Sequence, residues 1–238
     1  MRFATILVFL LLAAPAVAQP PIVRPSGEAS GRELFAANCA RCHGGRGQGT
    51  SMGPSLFGVG PLAADFYLRT GYMPLEVPDD QPERRRPEFT DPEIRALVDY
   101  VGALGGGGPP IPRPRPERGR LSQGQRLFGE HCAGCHQIVA EGGVVTGARV
   151  PPLDRATPVQ IAQAVRVGPY VMPKFSERDI SDRELDSIIA YVQYAKAPDD
   201  RGGWAIGHIG PFPEGMVTWV IAGLVLVGTC ILIGRRAS

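Results

Sequence analysis

The stretch GRELFAANCARCH, residues 31–43, returns as GQRLFGEHCAGCH at residues 124–136, and both copies end on C-x-x-C-H. Of five cysteines in the chain, four stand in these motifs, at Cys39, Cys42, Cys132 and Cys135, and each pair runs straight into a histidine, His43 or His136. An internal repeat of this kind commits a chain to building one structural plan twice. The likeness continues further on, where LRTGYMP (68–74) matches VRVGPYVMP (165–173).

Each copy closes on a helix announced in the same way. Thr90-Asp91-Pro92-Glu93 and Ser181-Asp182-Arg183-Glu184 are both capping boxes, in which side chains satisfy the free amides of a helix start. Behind them, Ile94, Leu97, Val98 and Val101, and then Leu185, Ile188, Ile189 and Val192, form one apolar stripe at helical spacing. Tyr100 and Tyr191 fall at equivalent places. The helix before each motif carries Gly31 and Phe35, or Gly124 and Phe128, one turn apart. These predict a close helix crossing, with Gly31 and Phe35 against Leu97 and Tyr100, and Gly124 and Phe128 against Ile188 and Tyr191.

C-x-x-C-H is the attachment signature of c-type haem. Two thiols add to the haem vinyl groups as thioethers, the two-residue spacer on a helical turn matches their separation, and the histidine is placed under the iron. A zinc ribbon would use both pairs on one ion and needs no histidine after each. A thioredoxin-like motif needs a βαβ setting, which this sequence lacks. An exported disulfide framework rarely sets its cysteines three apart twice. The reading is therefore two covalent haem c groups, held by Cys39 and Cys42 and by Cys132 and Cys135, with His43 and His136 as proximal iron ligands.

Candidates for the sixth ligand are Met52, Met73, Met172, Met216, His131 and His208. Met73 and Met172 are selected, because both precede a proline that biases them to an extended backbone and both follow an Arg-x-Gly element. Met52 has no counterpart and lies too near His43 to wrap a macrocycle. Met216 belongs to an apolar terminus, His131 reads as ordinary surface, and His208 sits just before that terminus. Histidine–methionine coordination raises the reduction potential and fills both axial positions, so such a centre passes single electrons and does no bond chemistry. A di-haem peroxidase would instead need an open axial site.

Composition agrees. Aromatic residues make up 7% of the chain while glycines number 31 and prolines 24, so either long stretches are irregular or something other than aromatic rings fills the cores. Repeats of this size bury little area and commonly need a cofactor. A formal charge of +2 gives no ground for a nucleic-acid partner.

Both ends point to a membrane. Residues 1–18 read as a signal peptide, with Ala16-Val17-Ala18 as the cleavage pattern and a retained anchor as the alternative. Residues 216–234 carry no charge, and 19 helical residues span roughly 28 Å, close to the ~30 Å hydrocarbon core of a bilayer. Trp219 lies near one boundary and Arg235-Arg236 beyond the other, which sets the C-terminus (235–238) in the cytoplasm and the repeats outside. Cys230 reads as a buried apolar thiol. The expected organisation is mainly α: domain 1 at 19–104, a Gly/Pro/Arg-rich linker at 105–120, domain 2 at 121–198, a juxtamembrane segment at 199–215 and a transmembrane helix at 216–234. The linker, with Arg113, Arg115, Arg118 and Arg120, reads as a solvated, semi-rigid spacer, and Glu83-Arg84-Arg85-Arg86 as a surface loop.

Each repeat resembles a class I cytochrome c domain, from the helix entering C-x-x-C-H to the Met-Pro element and the closing helix, over most of residues 30–198. In addition, GGWAIGHIGPFPEGMVTWVIAG (202–223), LRTGYMP and GPYVMPKF resemble the di-haem cytochrome c subunit of the cytochrome bc complex of high-GC Gram-positive bacteria. That resemblance implies the electron-transfer subunit of a quinol–cytochrome c reductase. Its partners would be a cytochrome b subunit and a Rieske iron–sulfur subunit, and it would deliver electrons to an aa-type terminal oxidase or a cytochrome c acceptor. The alternatives are the di-haem subunit of a cbb-type oxidase, whose anchor usually precedes its haem domains, and a membrane-tethered di-haem shuttle.

Overall fold

The computed structural model describes residues 21–25, 29–78, 80–198 and 211–237. The expected signal peptide (1–18), His208 and the GGWAIGHIG stretch lie outside these residues. The chain divides into two compact units, one ending at Lys196 and one beginning at Ala197.

Within the first unit the repeat is visible as structure. Its first copy comprises α1 (Gly31–Asn38), α2 (Ala40–His43), α3 (Gly60–Arg69) and α4 (Asp91–Gly102). The second comprises α5 (Leu121–His131), α6 (Ala133–His136), a hairpin of β1 (Gly143–Val145) and β2 (Ala148–Val150), then α7 (Pro158–Val167) and α8 (Asp182–Lys196). In the antiparallel hairpin Gly143 faces Val150 and Val145 faces Ala148.

The expected caps are present. Glu93 reaches back to the amide of Thr90 at 2.7 Å and Glu184 to that of Ser181 at 2.9 Å. Behind them all eight apolar stripe residues of α4 and α8 are buried. The crossings also form as expected: Phe35 and Tyr100 stack at 5.2 Å between ring centroids, Phe128 and Tyr191 at 5.4 Å. A Cβ on Gly31 would fall 1.9 Å from the Ala96 carbonyl oxygen, and one on Gly124 1.9 Å from that of Ser187, so only hydrogen fits at either contact.

Three features differ from the sequence expectation. First, α3 and α7 stand between each motif and its methionine, where the sequence reading places no helix. Pro61 and Pro158 start them, and Thr157 with Gln160 forms a capping box that the alternation of small and apolar residues disguises. Second, the linker does not run free in solvent. Pro109 accepts the amide of Leu62 at 3.1 Å, Ile111 packs on the first core, and the amides of Arg115 and Arg120 donate to Asp186 and Ser187 of α8 at 2.6 and 3.1 Å. Between its two short 3-10 turns the linker forms no helix or strand, so its backbone polar groups need outside partners, and the flanks of the two repeats supply them. Third, the arginine run 84–86 is the surface loop expected, with Glu83, Arg85 and Arg86 exposed, but it also bonds across to the second repeat. Arg84 donates to Gln160 Oε1 at 2.8 Å and to the Arg155 carbonyl at 3.1 Å, and Glu83 pairs with Arg149 at 3.2 Å. These bonds tie one repeat to the other.

The second unit contains α9 (Pro211–Ala237). From Gly215 to Arg236 it is long and apolar enough to cross a membrane. Its large side chains are exposed, including Trp219 and Leu224, and so is Cys230.

Candidate functional site

Both motifs are built by the same helical turn. The Cys39 amide donates to Phe35 O at 2.8 Å, and the amides of Cys42 and His43 return to Cys39 O at 3.2 and 2.9 Å. In the second repeat Cys132 donates to Phe128 O at 2.8 Å, and Cys135 and His136 to Cys132 O at 3.1 and 2.9 Å. One turn thus carries two thiols and an imidazole, and it is anchored to the phenylalanine buried in the helix crossing.

A proline carbonyl orients each imidazole. His43 Nδ1 lies 2.8 Å from Pro54 O, and His136 Nδ1 3.2 Å from Pro151 O. A carbonyl oxygen only accepts, so Nδ1 carries the proton and Nε2 keeps a lone pair for a metal. Burial holds His136 below its ordinary pKa, against the opposing pull of the Pro151 carbonyl, and so favours the neutral ring.

In the first repeat these groups face a cavity of about 870 Å³, within the roughly 300–1,000 Å³ of small-molecule and cofactor sites. Cys39, Cys42 and His43 line it, as do Met73 and Pro74 from the loop after α3. Phe35, Leu97 and Val101 line it too, with Tyr67 and Leu68 of α3. The Met73 amide is fixed by a 3.1 Å bond to Tyr67 O. In the second repeat Cys132, Leu153, Met172 and Phe175 each pack against the core, and the Met172 amide donates to Pro169 O at 3.0 Å.

The surroundings suit a flat apolar macrocycle. Burial, with a lesser push from Cys42, raises the Cys39 thiol to about 12; burial, with Cys135 second, raises Cys132 to about 11. Thiols so displaced sit in apolar walls. Among the described residues no three of His, Cys, Asp and Glu converge as a metal-ion site would need, so the two cysteine pairs serve separate places. The first repeat's residues and cavity therefore fit a haem, and the second repeat presents the same cysteine–histidine turn.

The chain matches the family described as cytochrome c oxidase, cbb3-type, subunit III, over residues 27–101 and again over 119–192, one match per repeat. It is 36% identical to the cytochrome bc1 complex cytochrome c subunit of Corynebacterium diphtheriae, across 87% of this chain and 80% of that protein. The chain belongs to the family of cytochrome bc1 complex cytochrome c subunits. The protein of that name from Mycobacterium tuberculosis is 39% identical over 87% of this chain and 78% of its own length. A cbb3-type cytochrome c oxidase subunit CcoP from Azospirillum is 31% identical over a smaller share, 69% of this chain and 60% of that protein. As a family member with two cytochrome c domains, the chain carries covalently bound haem c.

Of the sequence candidates, the structure brings Cys39, Cys42, His43 and Met73 to one cavity, which Met52 also reaches from its rim while 37% exposed. Met216 lies on α9, 68% exposed, and His131 stacks edge-on against Phe175. Sequence reasoning missed Pro54 and Pro151, the carbonyls that set the imidazoles. The signal existed: Pro54-Ser55-Leu56 and Pro151-Pro152-Leu153 are equivalent in the two copies, and both leucine amides pin the loop, to Gly47 O at 2.7 Å and to Ala140 O at 2.9 Å.

Proposed function

We propose that Cys39 and Cys42 hold one haem c, and Cys132 and Cys135 the other, as thioethers. His43 and Met73 would fill the axial positions of the first iron, His136 and Met172 those of the second. The observation that carries this reading is that His43, both its cysteines and Met73 face one apolar cavity. Iron porphyrin held with both axial positions filled supplies one-electron transfer. The chain's own work is to orient the imidazoles through Pro54 and Pro151, to hold the methionines on short proline loops, and to keep water out. Two domains, 19–104 and 121–198, joined by the strap 105–120, would each enclose one such site.

On this reading the protein is the electron-transfer subunit of a quinol–cytochrome c reductase and has no substrate-converting site of its own. It sits beside a cytochrome b subunit and a Rieske iron–sulfur subunit, and passes electrons from the Rieske protein to an aa-type terminal oxidase or a cytochrome c. The helix at 216–234 anchors it in the cell membrane as a single span, repeats outside and Arg235-Arg236 inside. The greater coverage of the bc1 relatives favours this over a cbb-type oxidase subunit.

Purification in mild detergent through a tag on this chain tests the assignment. A b-type cytochrome and a Rieske protein should co-elute. Recovery of the chain alone, or with a haem–copper oxidase core and no b-type partner, would refute it.

A further inference from the structure

The first repeat's cavity is not closed by the first repeat alone. Its wall includes Val167 and Tyr170, which belong to the end of α7 and the methionine loop of the second repeat. We propose that Tyr170 is a lid supplied by the second repeat, which keeps water from the haem of the first and so holds that haem's reduction potential up. This inference rests on the reading that a haem occupies the cavity at Cys39 and Cys42.

The placement of Tyr170 is built, not incidental. α7 is docked on α3, the helix that lines the same cavity, by a hydrogen bond of 2.8 Å from Gln163 Nε2 to Asp65 Oδ2, with both residues buried. Asp65 Oδ1 is held in turn by Arg69 Nε at 2.7 Å. Arg84 and Gln160 close a second bridge at 2.8 Å, and Gln81 exchanges bonds with the backbone of Arg149 in a third. Residue 170 is therefore carried to the cavity wall by an interface fixed at several points.

The backbone gives an independent sign. Tyr170 has φ 55°, in the left-handed region that glycine and asparagine adopt readily and bulky residues avoid. A chain indifferent to this side chain would gain from glycine here. Tyrosine stands here although the residue is 49% exposed and lies outside both cores. A residue that borders the cavity and is also half open to solvent is placed as a lid requires. The electrostatics follow: ferric haem carries one more positive charge than ferrous, water stabilises that charge, and a site opened to water therefore loses potential.

The test is redox titration of the full chain in detergent, comparing the parent with Tyr170→Gly and Tyr170→Phe. Glycine removes the ring and suits the left-handed backbone, so the loop keeps its path. Met73→His in the same titration identifies the first repeat's couple as the one it displaces. In Tyr170→Gly the first couple should fall by tenfold or more in its reduction equilibrium, about 59 mV for one electron. The second should move by less than threefold. Tyr170→Phe, which keeps the ring, should match the parent. An unmoved first couple overturns the proposal. So does a shift of the second couple as large as that of the first, which would make Tyr170 a support for its own methionine loop. Mass mapping of the same samples separates this from failure of the underlying reading: a parent chain without haem on Cys39 and Cys42 sinks both.

Discussion

Replacing Gly31 or Gly124 by alanine tests the frame that holds the motifs. The added Cβ at Gly31 would stand 1.9 Å from Ala96 O and 2.6 Å from its carbonyl carbon; at Gly124 the same distances lead to Ser187. Carbon and oxygen in their closest favourable contact lie about 3.3 Å apart, so α1 must retreat from α4, or α5 from α8, by roughly 1.4 Å. A radial gap of about 0.5–1 Å already forfeits a quarter to a half of the dispersion well. Here the loss falls on the fully buried Leu34, Phe35, Ile94 and Leu97, or on Phe128 and Ile188. Overpacking costs about 1–3 kcal/mol where side chains can give way. The obstacle here is backbone, so the expected destabilisation is about 3 kcal/mol or more, at least a hundredfold in the folding equilibrium. Denaturant unfolding of each full-chain variant in detergent, followed by far-ultraviolet circular dichroism, reads it directly. A loss under about 1 kcal/mol in either variant would show that the crossing is looser than described.

Replacing Met73 or Met172 by leucine should remove the thioether-to-iron absorption band of that haem alone and lower its potential; an unchanged spectrum in either variant refutes that ligand. Asp65→Ala strands buried Gln163 and takes one partner from Arg69. It should cost about 2 kcal/mol in denaturant and raise amide exchange in α3 and α7 together, whereas exchange confined to α3 would show that the two helices are not coupled. Glu33 and Glu184 are held below their ordinary pKa by the backbone amides of Ser30 and Ser181 first and the hydroxyls second. Their stabilisation is therefore complete above the unfolded pKa of about 4.3 and fades as pH falls below it. Glu184→Gln keeps the box without titrating, so its thermal midpoint should fall less steeply with acid than the parent's; parallel slopes would contradict the assignment.

What was legible in the sequence was what local spacing encodes. C-x-x-C-H fixes one turn, the stripe from Ile94 to Val101 fixes one helix face, and Thr90 with Glu93 fixes where that helix begins. Gly31 and Gly124 gave away the crossings because their partners sit at equivalent places in both copies. What escaped depends on residues far apart in the chain. α3 carries a buried carboxylate and α7 two buried glutamines, Gln160 and Gln163, which spoil an apolar pattern until each repeat is seen to cover the other's polar groups. The linker read as free for the same reason, since its partners Leu62, Asp186 and Ser187 lie on both sides of it in sequence. Tyr170 was hidden most completely: nothing local marks a loop residue as the wall of another repeat's cavity.

The most direct test is peptide mapping of the mature protein by mass spectrometry. The account predicts one haem on the peptide holding Cys39 and Cys42, another on that holding Cys132 and Cys135, and thioether bonds through both cysteines of each pair. A chain with one haem or none, or with either pair closed as a disulfide, would contradict it.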